Sequence, residues 1–132
     1  MSKTYYFPLA KLHQYIIDYF VHWGVSASDA NLAADVLLAA DQRGVDSHGM
    51  IRLSSYYGSR LRKELIDPAC PMTVLRESPT TLSVDAGNGL GHPVSVKTMQ
   101  QVITKAEFSG LAMAALYDEP FLAAVPSTHP LA

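Results

Sequence analysis

Asp46-Ser47-His48-Gly49, followed by Arg52 and Tyr56, is the stretch whose residue types and spacing could do chemistry. His48, Arg52 and Tyr56 lie four apart. On a helix each such step rotates the side chain by about 40°, so the three share a face, with Ser55 on the same side. If Ser47 caps that helix, His48 sits in the first turn, where the helix dipole disfavours a positive ring. A neutral imidazole there can take or return a hydroxyl proton. Gly49 removes a side chain beside the ring and leaves room for a ligand. Arg52, one turn on, could fork onto a carboxylate. The same spacing equally describes a capped helix with a surface His, a solvated Arg and a packing Tyr. Residue types alone leave both readings open.

The elements that must position these groups are read from apolar spacing. Pro8 precedes Leu9, Leu12, Ile16, Phe20 and Trp23, which predicts an amphipathic helix ended by Gly24. Ser26 to Asp29 has the form of a capping box and opens a second helix through about Gln42. Its Ala30, Ala33, Ala34, Leu37 and Leu38 form a small-residue stripe suited to close packing, and Gly44 ends it. The third helix, from Ser47, carries Ile51, Leu53, Tyr57 and Leu61 on its apolar side.

After an irregular link at Ile66-Asp67-Pro68 and Cys70-Pro71, the pattern changes. Met72 to Arg76 and Thr81 to Asp85 read as a strand pair around Ser78-Pro79. Gly87-Asn88-Gly89-Leu90-Gly91 is a loop that must visit positive φ. Pro93 suits the first turn of a fourth helix, with Val96, Met99, Val102, Ile103 and Ala106 facing inward. Ser109-Gly110 stops it, and Leu111 to Leu116 reads as a buried strand. The expected fold class is α+β, a three-helix segment followed by a β-β-α-β unit. Its divisions are 1–68 helical with the Ser-His-Gly motif, 69–116 the start of an α/β domain, and 117–132 a divergent tail.

A strand, a glycine loop, a helix and a second strand imitate a dinucleotide-binding unit. The fingerprint G-x-G-x-x-G nevertheless fails, because counting from Gly87 and Gly89 its third position is His92, and Pro93 follows. A structural turn is the expectation. The pairs His13/His22 and His48/His92 have no metal-ligand spacing. Asp35/Asp41 and Glu64/Asp67 read as solvated carboxylates, and Trp23 with Tyr15 and Tyr19 as core packing. Cys70, the single cysteine, lies between prolines with no nearby base and reads as an inert thiol.

The 132 residues suit one ordinary domain, with 48% hydrophobic and 17% charged residues. That greasy balance suggests buried contact with another subunit or another part of the protein. A net charge of −2 gives no electrostatic case for nucleic acid or an anionic membrane. No signal core and no apolar run of the ~20 residues needed to span a bilayer is present, so the expected location is cytoplasmic.

Gly44-x-Asp46-Ser47-His48-Gly49-x-x-Arg52-x-x-x-Tyr56 resembles the signature of the malate/L-lactate dehydrogenase family, which includes ureidoglycolate, sulfolactate and diketogulonate enzymes. The likeness runs from about Leu9 to Leu116. It takes in the two preceding helices, Leu65-Ile66-Asp67-Pro68, the Asp85-x-x-x-Gly89-x-Gly91 loop and the helix leading to Gly110-Leu111-Ala112. The resemblance implies the N-terminal part of an oxidoreductase that moves a hydride between NAD or NADP and a 2-hydroxy or 2-oxo acid. It also implies a fold unlike the Rossmann domain and a homodimer. His48 is then the catalytic imidazole, relaying the hydroxyl proton. Arg52, Tyr56 and Ser47 belong to the substrate pocket, and no residue here is assigned to the cofactor or to a metal.

Family members are well over twice this length, and the run Tyr117-Asp118-Glu119-Pro120 departs from their pattern. The expectation is a truncated or internally deleted product, or a fragment. The alternative function is therefore an inactive remnant that only dimerises or binds a small acid weakly. A nucleotide-binding module using the Gly87 to Gly91 loop is the third reading.

Overall fold

A computed structural model describes residues 5–117 of the chain. Helix α1 spans Leu9–His22, and Pro8 before it leaves its carbonyl free to accept from the Lys11 and Leu12 N–H groups. The three- and four-residue apolar spacing buries Ile16 and Phe20 completely, while Tyr19 and Trp23 pack half-buried against the same core. Tyr15 stays exposed, so only part of the expected aromatic packing forms. Gly24 turns the chain at φ +90°, a conformation open to glycine at little cost.

Helix α2 covers Ala27–Gln42. Ser26 Oγ accepts from the Asp29 N–H at 3.1 Å, which is the cap that the sequence predicts. The Asp29 carboxylate serves a different partner. It is buried and pairs with Lys97 on a later helix. The alanine stripe of α2 is fully buried with Leu37, and α1 packs along it.

The third helix corrects two expectations. Asp46–His48 form a short 3-10 turn, and regular helical geometry begins only at Arg52, so Ser47 is not the helix cap. The break has a visible cause. Asp41 of α2 reaches over and accepts the Met50 N–H at 2.8 Å, holding Gly49-Met50 in a turn. Leu53–Gly58 then form a π turn, and Ser59–Arg62 close the segment as α3. Leu53 and Leu61 enter the core, but Ile51 is 68% exposed and Ser55 Oγ is spent on the Ile51 carbonyl. Neither lies on the face expected for it.

Strands β1 (Thr73–Glu77) and β2 (Thr81–Asp85) pair antiparallel, with an irregular register between Val74 and Arg76. Met72 sits just outside β1 and packs against Leu82, Val84, Ala86 and Val94, the second core cluster. Helix α4 (Gly91–Ser109) crosses to β3 (Met113–Tyr117), which lies parallel to β2 with Thr81 opposite Met113. The sheet order is β1-β2-β3, and the fold is α+β as expected.

Two apolar expectations fail in this half. The buried face of α4 is Pro93, Val94, Thr98 and Val102, whereas Met99 and Ile103 are more than half exposed. The last strand is likewise not buried: Met113 and Leu116 are exposed on β3. Both surfaces face away from the two core clusters, and nothing among the described residues covers them. The divergent tail, from residue 118 on, lies outside the described residues.

Among the described residues no helix is long and apolar enough to cross a membrane, and no cluster of His, Cys, Asp and Glu could hold a metal.

Candidate active site

His48, Arg52 and Tyr56 meet at one cavity of about 420 Å³, within the ordinary size of a small-molecule site. Val36 and Ala40 of α2 form its apolar wall, and Tyr57 and His92 complete the lining. Ser47 reaches the site through its neighbours. Its Oγ hydrogen-bonds His48 Nδ1 at 2.8 Å, and its carbonyl accepts from Arg52 Nε at 2.6 Å. His48 Nε2 and the two terminal nitrogens of Arg52 have no hydrogen-bond partner among the described residues. One imidazole nitrogen is thus oriented and the other free, and Arg52 is pinned by one nitrogen while its fork remains available.

Tyr56 is a wall held by cations. The Arg60 guanidinium carbon lies 3.6 Å from its ring centroid and that of Arg52 lies 5.6 Å away. Tyr57 joins the cavity because of the π turn. Five residues along an α-helix amount to ~140° of rotation from Arg52. The i→i+5 pairing of a π turn brings the fifth residue back toward the same side. Adjacent tyrosines therefore both line the site, their rings crossed at 75°. Gly58, at the end of that turn, is close-packed under the Tyr19 hydroxyl, where a Cβ would collide.

Gly49 does not serve as expected. The space beside it is filled by the Asp41 carboxylate and not left for a ligand. Asp41 is therefore structural, and Asp67, at the surface, accepts the Ala69 N–H at 2.8 Å within its own turn. Asp35 and Asp67 are exposed as expected, Asp35 bonding His13 at 2.8 Å at the surface.

His92 is the site residue that sequence spacing does not reveal. It lies in the first turn of α4, and its Nε2 hydrogen-bonds the Tyr57 hydroxyl at 2.9 Å. Its Nδ1 is buried without a hydrogen-bond partner among the described residues. Burial pushes the His92 ring below its ordinary 6.5. Burial also pushes the Tyr57 hydroxyl above 10.0, with Tyr56 adding and Arg52 and Arg60 opposing. Both groups are neutral near pH 7 and meet as an uncharged pair.

The unfolded chain protonates its His near 6.5, while folded His92 resists the proton. The stability it contributes is whole above about pH 6.5 and is lost as pH falls below that value, by at most about 1.4 kcal/mol per pH unit. Denaturant melts between neutral and mildly acidic pH are expected to show a shallower loss for His92→Gln than for the parent chain.

Cys70 is buried, and burial raises its thiol above 9.0. The inert reading holds. The glycine loop is equally structural. Gly87 and Asn88 have positive φ, and Gly89 does not. A Cβ at Gly87 would lie 2.7 Å from the Pro71 ring, and one at Gly89 would lie 2.8 Å from Cys70 Cα. The Leu90 N–H points to Cys70 Sγ at 3.4 Å. The room beside Gly87 and Gly89 is taken by the chain itself, whereas Gly91, which opens α4, has open space around it.

The sequence model of the family described as malate/L-lactate dehydrogenase matches residues 7–124. The chain belongs to that family. It is 37% identical over 100 residues to L-sulfolactate dehydrogenase of Methanocaldococcus jannaschii, covering 76% of this chain and 29% of that protein. It is 29% identical over 102 residues to the NAD(+)-named ureidoglycolate dehydrogenase of Escherichia coli, covering 77% of this chain and 29% of the relative. Among solved structures, malate dehydrogenase from Entamoeba histolytica superimposes with a TM-score of 0.83 at 30% identity. That match covers 86% of this chain and 32% of the other. The chain spans about three tenths of the length of the family members it matches, and its α+β fold corresponds to that part of theirs.

Proposed function

We propose that the described residues form the acid-binding half of a 2-hydroxyacid dehydrogenase site, within an enzyme that uses NAD or NADP. The observation that supports this most is the convergence of His48, Arg52 and Tyr56 on one cavity, with His48 Nε2 and the Arg52 fork both unengaged. Arg52 suits a carboxylate, which it can grip with two parallel hydrogen bonds. His48, with Nδ1 tied to Ser47, suits the hydroxyl on the neighbouring carbon, taking its proton on oxidation and returning it on reduction. Tyr56 walls the pocket. The nicotinamide group supplies the hydride chemistry, and no step of it is assigned to a residue of this chain. Family membership supports hydroxy-acid chemistry in general, since the relatives are named for sulfolactate and ureidoglycolate. A homodimer and a cytoplasmic location belong to the same proposal.

In a second reading the chain by itself binds a small acid without turning it over. In both readings Arg52 anchors the ligand. NMR titration with L-lactate tests this directly. Arg52→Met is expected to weaken binding roughly tenfold, the worth of one charge-assisted contact. Equal affinity in parent and variant would remove Arg52, and with it the acid site, from this cavity.

A further inference from the structure

We propose that Tyr57, aligned by His92, is the specificity contact that reads the substituent beyond the hydroxyl-bearing carbon of the bound acid. This rests on the acid-site reading of the cavity and extends it to residues outside the Ser-His-Gly motif. If Arg52 takes the carboxylate and His48 the hydroxyl, the lining that remains is Val36, Ala40, Tyr56, Tyr57 and His92. Val36 and Ala40 offer no polar atom. The face of Tyr56 is covered by the Arg60 and Arg52 guanidinium groups. The hydroxyls of Tyr56 and Tyr57 are the polar groups left to meet the rest of the ligand, and of the two only that of Tyr57 is held in place by a hydrogen bond among the described residues.

Its position is fixed from two sides. The π turn at Leu53–Gly58 rotates Tyr57 toward the Arg52 side. From α4, His92 Nε2 holds the phenol oxygen at 2.9 Å, with the rings 5.0 Å apart. Behind it the ring stacks edge-on against buried Phe20, at 5.9 Å between centroids. A tyrosine gripped at both ring and hydroxyl presents its oxygen with little entropy left to lose on binding, which is what a discriminating contact needs. His92 acts through Tyr57 and is a positioning residue. With Nε2–H donating to the phenol oxygen, the phenol proton is free to meet a ligand acceptor. The pair carries no formal charge, so it suits an uncharged hydrogen-bonding substituent better than a methyl group.

L-Glycerate and L-lactate differ by one hydroxyl at this place and make the test, as a ratio of dissociation constants from NMR titration of the full chain. The parent is expected to favour L-glycerate by about three- to tenfold, the worth of one neutral hydrogen bond. The ratio should fall to about one in Tyr57→Phe and in His92→Leu, and return in His92→Gln, which keeps a side-chain donor. A parent ratio near one, or an unchanged ratio in Tyr57→Phe, overturns the contact. A ratio that survives His92→Leu while failing in Tyr57→Phe overturns the positioning role alone. Binding that ignores Arg52→Met, or no binding of either acid, overturns the acid site and this inference with it.

Discussion

On the proposed reading, substituting His48 by alanine in an enzyme that carries this segment entire is expected to slow turnover of a 2-hydroxy acid by on the order of 10²–10⁴-fold, the usual worth of a positioned general base, with the fold unchanged. The separation of the two effects comes from where the ring sits. His48 is exposed and belongs to neither core cluster, so its removal opens no cavity in the interior. Its proposed contribution is chemical. To accept a hydroxyl proton, the ring must carry hydrogen on Nδ1 and a lone pair on Nε2, and Ser47 Oγ, 2.8 Å from Nδ1, can accept from that tautomer. In the return direction Nε2 gives the proton back. Initial rates followed by the absorbance of reduced nicotinamide, with thermal melts overlaid, would check both halves. A variant that keeps its rate within a factor of about three would remove His48 from the proton path.

How much of this was legible depended on whether the relevant contact is local. Helices α1 and α2 follow from apolar residues three and four apart, and Ser26 announced its own cap. The grouping of His48, Arg52 and Tyr56 was legible as well, although not for the reason the spacing suggests. His48 is not on the helix at all; the Arg52 bond to the Ser47 carbonyl folds the turn back over it. The π turn left no trace in the periodicity, since one added residue per turn does not alter the identity of the apolar residues. Tyr57 therefore read as core. His92 was invisible because its partner is 35 residues away and joined through tertiary packing.

The inward face of α4 departs from the expectation for a different reason. That helix carries two apolar stripes, one through Val94 and Val102 and another through Met99 and Ile103. Periodicity cannot rank two stripes. The sheet buries the first, and the second faces outward together with exposed residues of β3.

Gly49→Ala is expected to destabilise the chain by about 2–3 kcal/mol and to disturb His48 together with it. A methyl group at this position would occupy the place of the Asp41 carboxylate, which packs directly over the glycine. The carboxylate cannot simply withdraw, because it accepts the Met50 N–H at 2.8 Å and so fixes the turn between His48 and Arg52. Pushing it away costs a charge-assisted hydrogen bond and leaves a backbone donor to find water. Asp41→Ala should by itself cost about 1.5–3 kcal/mol for that bond, but it also vacates the space that the new methyl needs. The two changes are therefore expected to be far from additive, the double variant being little worse than Asp41→Ala alone. Denaturant melts of the four proteins measure the coupling. Strict additivity would mean that Gly49 and Asp41 do not compete for the same space, and that the turn presenting His48 is held by something else.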